Sequence, residues 1–173
     1  GVFRVIVATD SQNSVYERNE GNNTLAKNMF LNIRLSPPAN LAVTSVAAGD
    51  QATSGQKLNL SFRVENQGMG PTNTSRWQDS IYLSRDRYLF PQLDLFLGSV
   101  ERSDPLEAGQ GYDVTWDFDL PLGPNGPYYV FVFADSGDRV FENGVEADNQ
   151  LFDPTPVVVA LPPLADLAVA EVI

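Results

Sequence analysis

Asp113-Val114-Thr115-Trp116-Asp117-Phe118-Asp119-Leu120 alternates polar with apolar residues at a period of two. Successive side chains of an extended strand point to opposite faces, so this octet predicts a strand with one apolar and one largely acidic face. The reading puts Val114, Trp116 and Phe118 into a core. Leu58, Leu60, Phe62 and Val64 alternate in the same way with Asn59, Ser61, Arg63 and Glu65. Tyr128–Ala134 is continuously apolar, as expected of a central strand covered on both sides. Trp77–Ser84, Leu95–Val100 and Val157–Leu161 add strands, and Leu41, Val43 and Val46 open the series. Turn signals such as Gln67-Gly68-Met69-Gly70-Pro71 separate them. About seven short strands in roughly 120 residues, without helical periodicity, predict an all-β antiparallel sandwich.

The chain also resembles itself. Gly1–Asn19 lies over Gly126–Gly144 without a gap, so that Asp10-Ser11 meets Asp135-Ser136 and Glu17 meets Glu142, an offset of 125. After one inserted residue the offset becomes 126: Glu20 meets Glu146, Asn23 meets Asn149, and Asn40-Leu41-Ala42-Val43 meets Asp166-Leu167-Ala168-Val169. A period of this length predicts self-standing domains in tandem rather than solenoid units. Residues 1–38 then read as the C-terminal part of a preceding repeat, 39–161 as a complete repeat, and 162–173 as a linker and the first strand of a following one. Ser36-Pro37-Pro38 and Leu161-Pro162-Pro163 read as semi-rigid linkers.

Composition excludes several classes of function. Eleven basic residues against 22 acidic ones give a net charge of −11, which repels nucleic acid and anionic lipid surfaces and attracts cations. The chain has no Cys and no His. Disulfides, thiolate chemistry, a Ser-His-Asp triad and the usual zinc donors are therefore all missing. No apolar run is long enough to insert in a membrane as a helix. The start at Gly1 carries neither an initiator Met nor a leader, and reads as the interior of a longer protein.

Several segments, in order, resemble the cell-adhesion-related domain found in bacteria (CARDB). They are Asn40-Leu41-Ala42-Val43, Ser54-Gly55-Gln56, Val64-Glu65-Asn66-Gln67-Gly68, Trp77–Ser84, Leu97-Gly98-Ser99-Val100, Leu106-Glu107-Ala108-Gly109 and Asp135–Asn149. The resemblance implies an immunoglobulin-like sandwich, repeated in tandem in large secreted or cell-surface prokaryotic proteins. It implies adhesion, spacing or scaffolding, and no reaction.

The repeated acidic loop is the foremost site candidate. One copy carries Asp10, Asn13, Glu17, Glu20 and Asn23, the other Asp135, Asp138, Glu142, Glu146 and Asn149. Crowded hard oxygen donors suit Ca²⁺, which takes six to eight of them. The competing reading is structural, with Asp and Asn capping backbone amides at turns. A second acidic group is Asp79, Asp86 and Asp94. There Arg85 and Arg87 are expected to compete with an ion for Asp86. Paired carboxylates also occur in glycosidases, but one pair per repeat argues against catalysis.

The expected function is thus a non-catalytic structural or adhesive repeat, with neighbouring repeats as partners and Ca²⁺ as the one candidate cofactor. The alternative is a carbohydrate-binding module attached to a secreted enzyme, with Tyr88, Phe90 and Phe96 as exposed aromatic candidates. Residues 1–38 supply too few strands to fold alone. Their partner strands come either from upstream sequence or from another copy by strand complementation, which would make the chain a filament unit.

Overall fold

The computed structural model describes residues 1–166 and 168. Leu167 and Val169–Ile173, where the first strand of a following repeat is expected, lie outside the described residues. The chain divides into two compact units, Gly1–Ser36 and Pro37–Ile173.

The first unit is an antiparallel hairpin of β1 (Val2–Ala8) and β2 (Thr24–Asn32), with Val2 opposite Asn32 and Ala8 opposite Thr24. A short 3₁₀ turn, Glu20–Asn22, leads into β2. Alternation puts Phe3, Val5 and Val7 on one face, yet all three stay about half exposed or more. Two strands offer no second layer to cover that face.

The second unit is a two-sheet sandwich. Its strands are β3 (Leu41–Ala48), β4 (Gln51–Thr53), β5 (Lys57–Asn66), β6 (Trp77–Ser84), β7 (Leu95–Arg102), β8 (Gly111–Asp119), β9 (Gly126–Phe133), β10 (Gln150–Phe152) and β11 (Val157–Ala160). One sheet runs β3-β5-β8; the other runs β4-β11-β9-β6-β7, with β10 also paired to β9. All pairings within this unit are antiparallel except β11 with β4. The alternating residues of β5 fill the core with those of β6, β9 and β11: Leu58, Leu60, Phe62 and Val64 meet Trp77, Ile81, Val130, Val132 and Val157. Each such side chain contributes about 1.5–3 kcal/mol of burial.

One sequence expectation needs correction. Trp116 pairs with Leu60 across the ladder and so shares its inner face, as periodicity requires. However, β8 is the edge of its sheet, and the indole remains 57% exposed. The apolar run of β9 does lie in a central strand covered on both faces, the outer one by aromatic rings. Phe152 packs on Phe131 at 5.0 Å and on Tyr129 at 5.6 Å between ring centroids.

Pro37-Pro38 is docked to the sandwich rather than held as a free spacer. The carbonyl of Pro38 accepts from the Gly70 amide at 3.0 Å. A Cβ at Gly70 would fall 1.9 Å from the Pro37 carbonyl oxygen, and one at Gly68 would fall 2.5 Å from the Ala39–Asn40 peptide. Glycine is needed at both positions for backbone to approach backbone this closely.

Candidate functional site

The loop between β9 and β10 begins with two residues in left-handed conformation, Asp135 (φ 44°) and Asp138 (φ 50°). Asp and Asn tolerate that region because their short side chains bond locally. The Asp135 carboxylate accepts from the amides of Arg139 at 2.8 Å and Val140 at 2.7 Å. Burial raises its pKa, and these two amides oppose the rise. The hairpin loop of the first unit repeats the design. Asp10 has φ 42° and Asn13 φ 54°, and the Asp10 carboxylate accepts from Ser14 at 2.7 Å and Val15 at 2.9 Å. Asp10 and Asp135 are thus occupied as turn caps, the structural role weighed against an ion.

Farther along, Glu142 is 1% exposed, and its Oε1 accepts from the Leu41 amide at 2.8 Å. That bond ties the loop to the start of β3. Its carboxyl lies against the side chains of Glu146 and Asn149, and Asn149 Nδ2 donates to Glu146 Oε2 at 3.0 Å. Burial first, then the neighbouring Glu146, holds the Glu142 pKa well above the usual carboxylate range. Beside them Asn40 Nδ2 donates to Asp148 Oδ2 at 2.8 Å. Four buried oxygens here have no donor: Asn40 Oδ1, Glu142 Oε2, Asp148 Oδ1 and Asn149 Oδ1. In the hairpin loop Asn23 donates to Glu20 at 3.1 Å, and Glu20 Oε1 accepts from the Glu17 amide at 3.3 Å. Glu17 is only partly buried there. Among the described residues no three acidic side chains converge closely enough to share an ion. Asn40 lies outside the acidic loop on which the sequence reading centred, because its approach spans 108 residues.

Asp79, Asp86 and Asp94 do not come together. Asp79 is 1% exposed, accepting from the Tyr112 hydroxyl at 2.6 Å and the Asp135 amide at 3.1 Å. Tyr112 in turn accepts from Trp77 Nε1 at 3.1 Å. Asp86 caps the Tyr88 amide at 2.8 Å and Asp94 the Phe90 amide at 2.7 Å. Nor do the arginines pair with Asp86. Arg85 lies 4.0 Å over the Tyr128 ring and Arg87 5.4 Å over Tyr129, because a weakly hydrated guanidinium stacks well on an aromatic face.

A second feature lies on the outer face of the β6–β9 sheet. Tyr82 packs on Phe96 at 5.4 Å. Nearby, a cavity of about 340 Å³ is lined by Arg87, Tyr88, Phe90, Phe131, Gln150 and Phe152. Tyr88 and Phe90 on the loop before β7 are 71% and 52% exposed, and Phe96 on β7 is 53% exposed.

A crystal structure of the CARDB domain of a Pyrococcus furiosus protein, described as in complex with di-metal ions, is similar to this chain. The TM-score is 0.51 at 15% identity, covering 71% of this chain and 90% of that one. The solution structure of the same domain gives 0.47 at 15%, covering 71% and 94%. A β-glucosidase from Listeria innocua in complex with glucose overlaps 71% of this chain and 16% of its own, with a TM-score of 0.41 at 16% identity. No protein-family model matches the chain, and no curated protein does.

Proposed function

From this CARDB-like fold, we propose that the chain is a non-catalytic structural or adhesive repeat of a large secreted or cell-surface prokaryotic protein. In that protein, immunoglobulin-like sandwiches follow one another about every 125 residues. The observation that carries the reading is the pair of acidic loops. At the sequence offset, Asp10 and Asp135 share φ values of 42° and 44°, Asn13 and Asp138 share 54° and 50°, and both aspartates cap the amides four and five residues on. A shared sequence pattern therefore meets a shared left-handed geometry. In this reading β1 and β2 are the last strands of the preceding sandwich, and the exposed Phe3, Val5 and Val7 are its core residues. The non-catalytic part rests on chemistry, since the chain lacks His and Cys.

Hydrogen exchange tests the repeat. Amides of β1 and β2 in the chain as it stands are expected to exchange nearly as in an unfolded peptide. Placing residues 39–125 ahead of Gly1 restores the missing sheet in register, and protection of those amides is expected to rise at least about 100-fold. Unchanged exchange would sink the tandem reading.

The aromatic face favours a second reading, a carbohydrate-binding module. Rings exposed beside Arg87 and Gln150 offer stacking surface together with hydrogen-bond donors, the combination a neutral sugar needs. A glycan-array hit weakened about tenfold or more by Tyr88→Ala or Phe90→Ala would support it. The absence of any hit leaves the structural repeat alone.

A further inference from the structure

The buried oxygens around Glu142 call for something positive. Glu142, Glu146 and Asp148 each carry a carboxylate, yet the ion pairs among the described residues, Lys57–Asp119, Arg63 with Glu65 and Asp113, and Arg102–Asp104, all lie elsewhere. Glu142 is 1% exposed and Asn149 fully buried, and each has a side-chain oxygen without a donor. A buried carboxylate oxygen without a donor keeps its full desolvation penalty. An amide flip does not help Asn149, because it would turn its oxygen onto the Glu146 carboxylate that now accepts from it.

We propose that this end of the sandwich, where the Glu142–Asn149 loop meets the start of β3, is a Ca²⁺ site. Glu142 Oε2 and the Glu146 carboxylate supply the charge, and the Asn149 side-chain oxygen a neutral ligand. The adjoining Asn40–Asp148 pair carries two more unpartnered oxygens outside this ligand set. No third acidic group shares the ion directly, so two carboxylates balance a divalent charge and water completes the shell of six to eight oxygens. All the donors are hard oxygens, which excludes the softer transition metals. The ion would bridge the β9–β10 loop to β3 in parallel with the Glu142–Leu41 bond, locking the first strand of a sandwich to its last hairpin.

The stoichiometry rests on the repeat reading. The hairpin loop keeps Glu17, Glu20 and Asn23, but in that reading its counterparts of Asn40 and Leu41 belong to the preceding repeat's own first strand. Glu17 is accordingly only partly buried where Glu142 is 1% exposed. One ion per chain is expected, not two.

The test is thermal melting of the full chain at pH 8 and constant ionic strength, in EDTA and then in 1 mM CaCl₂, together with Tb³⁺ luminescence titration. For a Kd of about 10 μM, Ca²⁺ at a 100-fold excess raises the midpoint by roughly 8 °C, and Tb³⁺ saturates at one per chain. Glu146→Gln, at an exposed position where the amide oxygen can still accept from Asn149, is expected to abolish the rise. Equal midpoints in EDTA and Ca²⁺ overturn the proposal and leave water on these oxygens. A rise of equal size in Glu146→Gln also overturns it, as screening of the −11 charge. Saturation by two Tb³⁺ per chain, with the Ca²⁺ rise intact and lost in Glu146→Gln, overturns only the stoichiometry and with it the repeat reading beneath it. The hydrogen-exchange test judges that reading separately.

Discussion

Asn66→Asp is expected to cost the sandwich about 4 kcal/mol or more, a large share of the roughly 5–15 kcal/mol a domain commands. The side chain has no exposed surface, and all its hydrogen-bonding capacity is used. Oδ1 accepts from the amides of Asn40 and Gly68, both at 3.0 Å. Nδ2 donates to the carbonyls of Gly70 at 2.9 Å and Leu106 at 3.1 Å. One amide group thus pins the start of β3, the turn after β5 and the loop before β8. Aspartate keeps the two accepted bonds but aims an oxygen at two carbonyls. The Gly70 carbonyl loses this donor, at about 1–3 kcal/mol, the Leu106 carbonyl keeps only its bond from the Thr72 amide at 3.0 Å, and the new buried charge has no cationic partner among these contacts. Urea denaturation measures the loss; a change below about 1 kcal/mol would mean that the turn opens to water instead. Asn66→Ser, which keeps a small polar group without the charge, is expected to lose less.

The same residue marks how far the sequence could be read. Period-two alternation in β5 and β8 identified strands and their inner faces, because side-chain direction in a strand is a local property. Exposure is not local. Trp116 has the phase of a core residue and still faces water, since nothing in its own octet tells an edge strand from a central one. Val64-Glu65-Asn66-Gln67-Gly68 reads as a turn, but that Asn66 holds Leu106, and Gly68 and Gly70 receive Pro37–Asn40, depends on contacts far apart in the chain. The acidic loops follow the same rule. Their capping by Asp10 and Asp135 is short-range, and turn chemistry alone foresees it. The reach of Glu142 to Leu41 spans 101 residues, and it separates the buried Glu142 from its partly buried counterpart Glu17. The aromatic face was legible only in part. Tyr88, Phe90 and Phe96 were expected at the surface, whereas the stacking of Phe152 on Phe131 requires β10 to lie beside β9.

Mild acid is expected to stabilise this protein, and Asp79 accounts for a measurable share. Desolvation raises its pKa from 3.8 to about 6, more than the bonds from Tyr112 and the Asp135 amide lower it. The charges facing it are Asp135 at the end of β9, which raises the value further, and Arg102 on β7, which lowers it. Tyr112 on β8 is itself shifted upward by the same burial and by the Asp79 charge, so it stays protonated. A carboxyl with a folded pKa above its unfolded one binds more protons in the native state between the two values. Its contribution is fully present below about pH 4 and is lost as pH rises through about 6. The difference of about two units amounts to roughly 3 kcal/mol. Asp135 and Glu142 shift in the same direction, so the melting midpoint should fall between pH 4.5 and 7.5 rather than rise. In Asp79→Asn the amide donates to the Tyr112 oxygen while its carbonyl still accepts from Asp135, and neither bond depends on pH. The fall over that interval should then shrink by about 2 kcal/mol in urea-derived stability, the rest of the change lying below pH 4.5. An identical pH profile in the two proteins would show that Asp79 is ionised throughout and compensated by Arg102.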